Sequence, residues 1–190
     1  MSKGRLEAFS DGVLAIIITI MVLELKVPHG SDITDIQPLI PIFASYLLSF
    51  IFIGIYRNNH HHLFQFVHKV NGNVLWANLH LLLWLSLIPF STGWMGENEF
   101  TAWPAATYGI TLWMAGLAYY ILVRVLLAIH PKDSLLATAI GKDIKGMVSL
   151  VLYTSAIPLA FVSPVASSAL YVIVAAIWFI PDSRLENLAK

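Results

Sequence analysis

Two carboxylates near the N-terminus, Asp11 and Glu24, lie at the ends of an uninterrupted apolar stretch. The twelve uncharged residues between them, Gly12 to Leu23, span about 18 Å as an α-helix at 1.5 Å per residue. Charged groups this close to the hydrocarbon zone of a membrane are costly and face a protein interior or a water-filled cavity. Carboxylates in such a place can concentrate cations or carry a proton.

The apolar residues between these carboxylates form a stripe. Ile16, Ile20 and Leu23 follow one another at i, i+4 and i+7 on one helical face, with Thr19 on its flank. The simplest interpretation is packing against other helices. The alternative is that the stripe faces a pore.

A second concentration of reactive side chains is His60, His61 and His62, followed by His68. Adjacent residues on a helix point in different directions, and no carboxylate is near in sequence, so we expect no metal site here. A response to pH remains open, because histidine titrates near neutrality.

The composition places these residues in a membrane protein. The chain has 190 residues, of which 58% are hydrophobic and 12% charged, whereas soluble domains carry about 25% charged residues. Eleven Lys and Arg balance eleven Asp and Glu, so there is no basic surplus for nucleic acid. Without cysteine, and without a nucleophile and base in plausible register, we expect neither a disulfide framework nor an enzyme.

Long apolar segments predict an all-α, polytopic fold with six transmembrane helices in a single domain over residues 1–190. The predicted spans are 7–28, 39–57, 73–94, 104–129, 147–162 and 165–181. The last two are short, and Ser163-Pro164 between them is typical of a helix start.

Lysine and arginine in short loops predict the orientation, because cytoplasmic loops retain them. With the N-terminus inside, ten of the eleven cations lie on the inner side: Lys3, Arg5, Arg57, Lys69, Arg124, Lys132, Lys142, Lys145, Arg184 and Lys190. Only Lys26 lies outside. Both termini are therefore expected in the cytoplasm of a multi-pass integral membrane protein.

Arg5, Phe9, Ser10, Asp11 and Gly12 spell R-x-x-x-F-S-D-G at the start of the first span. This motif resembles the signature of the transmembrane protein 175 family, which are potassium channels of prokaryotes and of eukaryotic endolysosomes. The resemblance also covers the six spans and the chain length. It implies a homotetramer in a prokaryotic plasma membrane, with helix one lining the pore on the symmetry axis.

The resemblance further implies that Ile16, Ile20 and Leu23 form the pore constriction and that Thr19 forms a polar layer. The T-V-G-Y-G filter of other potassium channels is missing from this sequence. A narrow apolar ring favours potassium modestly, because potassium sheds water more readily than sodium, so selectivity should be weak to moderate. No cofactor is expected besides the permeant potassium ion.

The family resemblance also suggests that the polar groups of the motif bond to the second and third helices. Arg5, Ser10 and Asp11 are expected to form a buried network with Asn78 and His80 of the third span. An alternative function is a proton-coupled secondary transporter that uses Asp11. Such a transporter would be expected to have internal repeats and broken helices. Helix one has neither glycine nor proline between Val13 and Val27, so no break is expected in it.

Overall fold

The computed structural model describes residues 2–131, 133–140 and 143–179, and helices are the only regular secondary structure among them. The eight α-helices are α1 (Lys3–Leu23), α2 (Ile40–Gln65), α3 (Gly72–Ser86), α4 (Ile88–Glu97), α5 (Ala102–Ala128), α6 (Leu135–Ile140), α7 (Ile144–Leu159) and α8 (Pro164–Phe179). A 3-10 helix, Ile33–Leu39, leads directly into α2. The all-α prediction is confirmed in this form.

Four helical segments of the described chain are long and apolar enough to cross a membrane. They are Lys3–Leu23, Ile33–Gln65, Gly72–Glu97 and Ala102–Ala128. Helices α7 and α8 have 16 residues each, so the six predicted spans remain a prediction. The cations Lys132, Lys142, Arg184 and Lys190, which entered the orientation argument, lie outside the described residues.

Two predicted spans have different limits in the structure. The second helix does not end at residue 57 but continues to Gln65, so His60, His61 and His62, which follow the predicted span, are helical. The third span is divided at Leu87 into α3 and α4, because Pro89 sits in the first turn of the second piece. The chain also forms the short helix α6, which was not predicted.

Helix α5 is the central helix of the bundle. It contacts α3, α4, α7 and α8 and buries twelve residues along its length, while one side that includes Trp103, Ile110 and Tyr120 is exposed. Helix α1 instead lies at the edge, where it contacts α2, α3 and α4. Within one chain, therefore, α1 buries only one side.

Helix α4 approaches α2 closely because residue 96 is glycine. A Cβ atom at Gly96 would lie 2.8 Å from Ile42 Cα and would overlap Ser45 Oγ. Gly54, on α2, has no atom within 4 Å of the corresponding position. Of these two glycines, only Gly96 is required by the close packing of α4 against the α2 backbone.

We expect Gly96→Ala to destabilise the protein by about 1–3 kcal/mol, which is typical of overpacking. The thermal unfolding midpoint of the detergent-solubilised protein should fall. Gly54→Ala is the matched control and should leave the midpoint unchanged or slightly raised, because alanine favours helix. Equal midpoints for the two variants would contradict the close approach of α4 to α2.

Candidate functional site

Helix α1 has one buried face and one exposed face. The buried face consists of Leu6, Ser10, Leu14, Ile17 and Met21, at intervals of three or four residues. The opposite face is exposed along the whole helix and consists of Arg5, Ala8, Phe9, Gly12, Ala15, Ile16, Thr19, Ile20, Val22 and Leu23. A single chain therefore presents a continuous helical surface without a partner from its own described residues.

All four residues predicted for the constriction lie on this exposed face. Ile16 is 60% exposed, Ile20 42% and Leu23 77%. The Thr19 hydroxyl donates to the Ala15 carbonyl at 2.9 Å, which leaves its methyl group and oxygen at the helix surface. Ile18, by contrast, packs partly buried against the core.

A buried hydrogen-bonded chain joins α1 to α3 and α2. The Asn78 amide donates to Ser10 Oγ at 2.9 Å, and Ser10 Oγ donates to the Leu6 carbonyl at 2.9 Å. His60 Nε2 lies 2.8 Å from Asn78 Oδ1, and the His60 ring stacks on Phe64 with centroids 4.5 Å apart. Because Asn78 Nδ2 donates, its Oδ1 accepts from His60 Nε2–H, and each donor has one acceptor.

The predicted network is therefore corrected, since His60 stands where His80 was expected and neither Arg5 nor Asp11 belongs to the buried chain. His80 lies two residues beyond Asn78, about 200° around the helix, so it cannot face Ser10 as well. It accepts instead from the Trp84 indole on its own helix, at 3.0 Å. His60 was missed because the second span was ended at residue 57.

Asp11 pairs with Arg57 and not with Arg5, which is exposed. The Arg57 Nε to Asp11 Oδ1 distance is 3.5 Å, and both side chains are about half exposed. Arg5 and Asp11 were expected in a buried network with the third span, and neither side chain is buried in the single chain. The reason is that Asp11 follows Ser10 and points toward the flank of α1.

The Asp11–Arg57 pair is one of three regularly spaced contacts between the antiparallel helices α1 and α2. Four residues earlier on α1, Glu7 lies 3.8 Å from His61, and four residues before that, Lys3 donates to the Gln65 carbonyl at 3.3 Å. Successive contacts are four residues apart on both helices. Exposed pairs contribute at most about 1 kcal/mol each, but together they match the register of α1 to α2.

The histidines do not converge on a metal. Among the described residues, no group of three His, Cys, Asp or Glu side chains is close enough to hold one. His130, at the end of α5, instead accepts from the backbone N–H groups of His68 and Lys69 at 3.1 and 3.4 Å. It ties the loop between α2 and α3 to α5.

At the other end of α1, the charges are exposed. Lys26 pairs with Glu97 of α4 at 2.5 Å, and the Glu97 carboxylate raises the pKa of the Lys26 ammonium. Glu24 caps the C-terminal end of α1 and lies near Gly93 of α4. These groups surround the end of the exposed α1 face.

Comparison with known proteins places this arrangement in a family. Residues 5–89 match the family described as endosomal/lysosomal potassium channel TMEM175. A relative from Chryseobacterium sp. (strain P1-3), named potassium channel, is 55% identical over 190 residues, or 100% of this chain and 99% of the relative. This chain belongs to the TMEM175 family.

Further members of the TMEM175 family support the assignment. A potassium channel of Streptomyces collinus is 34% identical over 125 residues, which cover 62% of this chain and 61% of that one. The crystal structure of a lysosomal potassium-selective channel TMEM175 homolog from Chamaesiphon minutus matches with a TM-score of 0.81 and 28% identity. That match covers 94% of this chain and 96% of the other.

Membership of the TMEM175 family confirms three predictions. The resemblance seen in the R-x-x-x-F-S-D-G motif is confirmed, and the chain belongs to ion channels instead of enzymes. With its long apolar helices, it is an integral membrane protein.

The buried network makes a prediction about stability. Asn78→Leu leaves His60 Nε2–H buried without an acceptor, at a cost of about 1–3 kcal/mol. We expect a clear fall in the thermal unfolding midpoint in detergent. His80→Leu, on the same helix, removes only a half-buried bond to Trp84 and should cost less. A larger loss for His80→Leu would show that the wrong histidine has been placed in the network.

Proposed function

We propose that the chain forms a potassium channel of weak to moderate selectivity, with α1 lining a pore on the symmetry axis of a homotetramer. The observation that carries this proposal is the exposed face of α1, which includes Ile16, Thr19, Ile20 and Leu23. A helix with a charged group at each end and an unpartnered face is suited to line a water-filled path. The names of the relatives as potassium channels support the permeant ion.

Ile16 forms the constriction in this proposal. Four isoleucine side chains around an axis make an apolar ring that excludes water unless the ring widens. An ion that passes must give up part of its hydration shell, and potassium does so at lower cost than sodium. Thr19, one turn further along, supplies a polar layer beside the ring.

The remaining assignments follow from the same arrangement. Six spans require α7 and α8 to cross as a short hairpin, which a locally thinned bilayer accommodates. Both termini are cytoplasmic in this topology, in a prokaryotic plasma membrane. Potassium and other monovalent cations pass through the pore in this proposal, and no cofactor or nucleic acid takes part.

The alternative of a proton-coupled transporter has less support. A secondary transporter would be expected to have broken helices, whereas α1 is continuous from Lys3 to Leu23. The family and its named relatives are ion channels. The channel is therefore the proposal that the geometry supports better.

One chain supplies one copy of α1, so a pore lined by this helix needs several chains. Closed rotational symmetry is the usual arrangement of homo-oligomers. We expect native mass spectrometry in mild detergent to give four subunits. A monomer that conducts potassium after reconstitution would defeat the proposal.

The constriction is tested by Ile16→Asn. A hydrogen-bonding side chain at the ring lowers the cost of keeping water beside the ion, so conductance should rise and the preference for potassium over sodium should fall. Planar-bilayer recording of the purified protein gives both quantities, from unitary currents and from the reversal potential under bi-ionic conditions. The reversal potential should move toward zero.

Ile18→Asn is the matched control, because residue 18 is partly buried against the core and lies on another face of α1. It should reduce the yield of folded protein without a change in the selectivity of the channels that form. Wild-type selectivity in Ile16→Asn together with altered selectivity in Ile18→Asn would mean that α1 faces the pore with a different side.

A further inference from the structure

A cavity of about 230 Å³ lies between α2, α5 and α7, beside the end of α8 and away from the exposed face of α1. Drug-sized ligands occupy about 300–1,000 Å³, so this cavity fits a compact molecule with one ring or a short chain. Six aromatic side chains contribute to its wall: Phe52, Tyr56, Tyr119, Tyr120, Tyr153 and Trp178.

The aromatic wall is built from packed pairs. Phe52 and Tyr153 are buried at the inner end, with ring centroids 6.4 Å apart. Tyr56 and Tyr119 meet edge to face at 6.3 Å. Tyr120 is exposed at the rim, where the Arg124 guanidinium already lies 5.9 Å from its ring centroid. The Tyr120 ring thus already makes a cation–π contact with a positively charged side chain.

The space itself depends on a glycine of α5. A Cβ atom at Gly116 would lie 3.4 Å from Leu150 Cδ2 and 3.7 Å from Tyr56 Oη, both of which belong to cavity residues. A larger side chain at this position would project into the cavity. A single substitution of Gly116 by a larger residue would therefore fill the cavity.

One formal charge is found among the residues that line the cavity, and it is negative. Asp143 caps α7, where its Oδ1 accepts from the Gly146 N–H at 2.9 Å. The carboxylate is partly exposed at the start of α7. A phosphate or carboxylate ligand would be repelled here, whereas a cation would be attracted.

We propose that this cavity binds a compact organic monocation, with a quaternary or fully substituted ammonium group and an aryl or short alkyl body. Aromatic faces attract such cations through the ring quadrupole, and recognition of quaternary ammonium groups is a known use of aromatic cages. The apolar body fills the inner end between Phe52 and Tyr153. The ammonium group lies nearer Asp143 and Tyr120.

The test uses the purified full chain in mild detergent and benzyltrimethylammonium as the probe, with binding followed by isothermal titration calorimetry. The wild-type protein should bind the probe saturably. Asp143→Asn keeps a residue that caps helices well but removes the charge, so affinity should fall at least fivefold. Gly116→Leu fills the cavity and should abolish binding.

Asp133→Asn is the matched control, because it removes one exposed carboxylate outside the cavity lining and should leave the affinity unchanged. Size-exclusion profiles verify that each variant is folded, and Asp143→Asn carries the test if Gly116→Leu does not fold. Binding that persists in Gly116→Leu would place the probe elsewhere, including the α1 face, and would overturn the proposal. Unchanged affinity in Asp143→Asn would overturn it as well.

A lipid chain is the competing occupant, and native mass spectrometry distinguishes it. A phospholipid that is retained by the wild-type protein and lost in Gly116→Leu, together with no binding of benzyltrimethylammonium, would make the cavity a site for an acyl chain. That result would overturn the assignment to an organic cation. Channel activity is not needed for any of these measurements, so the outcome is independent of the proposed pore.

Discussion

The rotation of α1 about its own axis is the constraint on which the rest of the candidate site depends. A rotation of about 100°, which is one residue step, would move many of its side chains between the buried and the exposed side along the whole helix. Apolar packing of Leu14, Ile17 and Met21 holds this rotation in part. The hydrogen bond between Ser10 and Asn78 restrains this rotation further, because it can form in only one rotational position of α1.

This bond acts together with the contacts between α1 and α2. The contacts of Lys3, Glu7 and Asp11 with α2 are partly exposed and individually weak, but they recur every four residues on both helices. They oppose sliding of α1 along α2, whereas the Ser10 bond opposes rotation. A helix whose exposed face has a function needs both restraints, since its own chain packs against only one side of it.

Helix α2 connects the two regions that carry the proposals. Arg57 and His60 face α1 and α3, and Phe52 and Tyr56 face the cavity shared with α5 and α7. The two sets lie within about two and a half turns of one helix. The α1 face and the cavity are nevertheless separate, because no residue of α1 lines the cavity.

The sequence by itself determined the membrane setting, the helical class and the family, because apolar segments and the R-x-x-x-F-S-D-G motif are local properties. It also placed Ile16, Thr19, Ile20 and Leu23 on one side of α1, since helical periodicity follows from spacing alone. The tertiary structure decided that this side of α1 faces away from the bundle. It also decided that His60 bonds to Asn78 and that Arg57 pairs with Asp11. Those choices depend on the length of α2 and on its register against α1. Both are set by long-range packing, which a helical repeat within one segment does not encode.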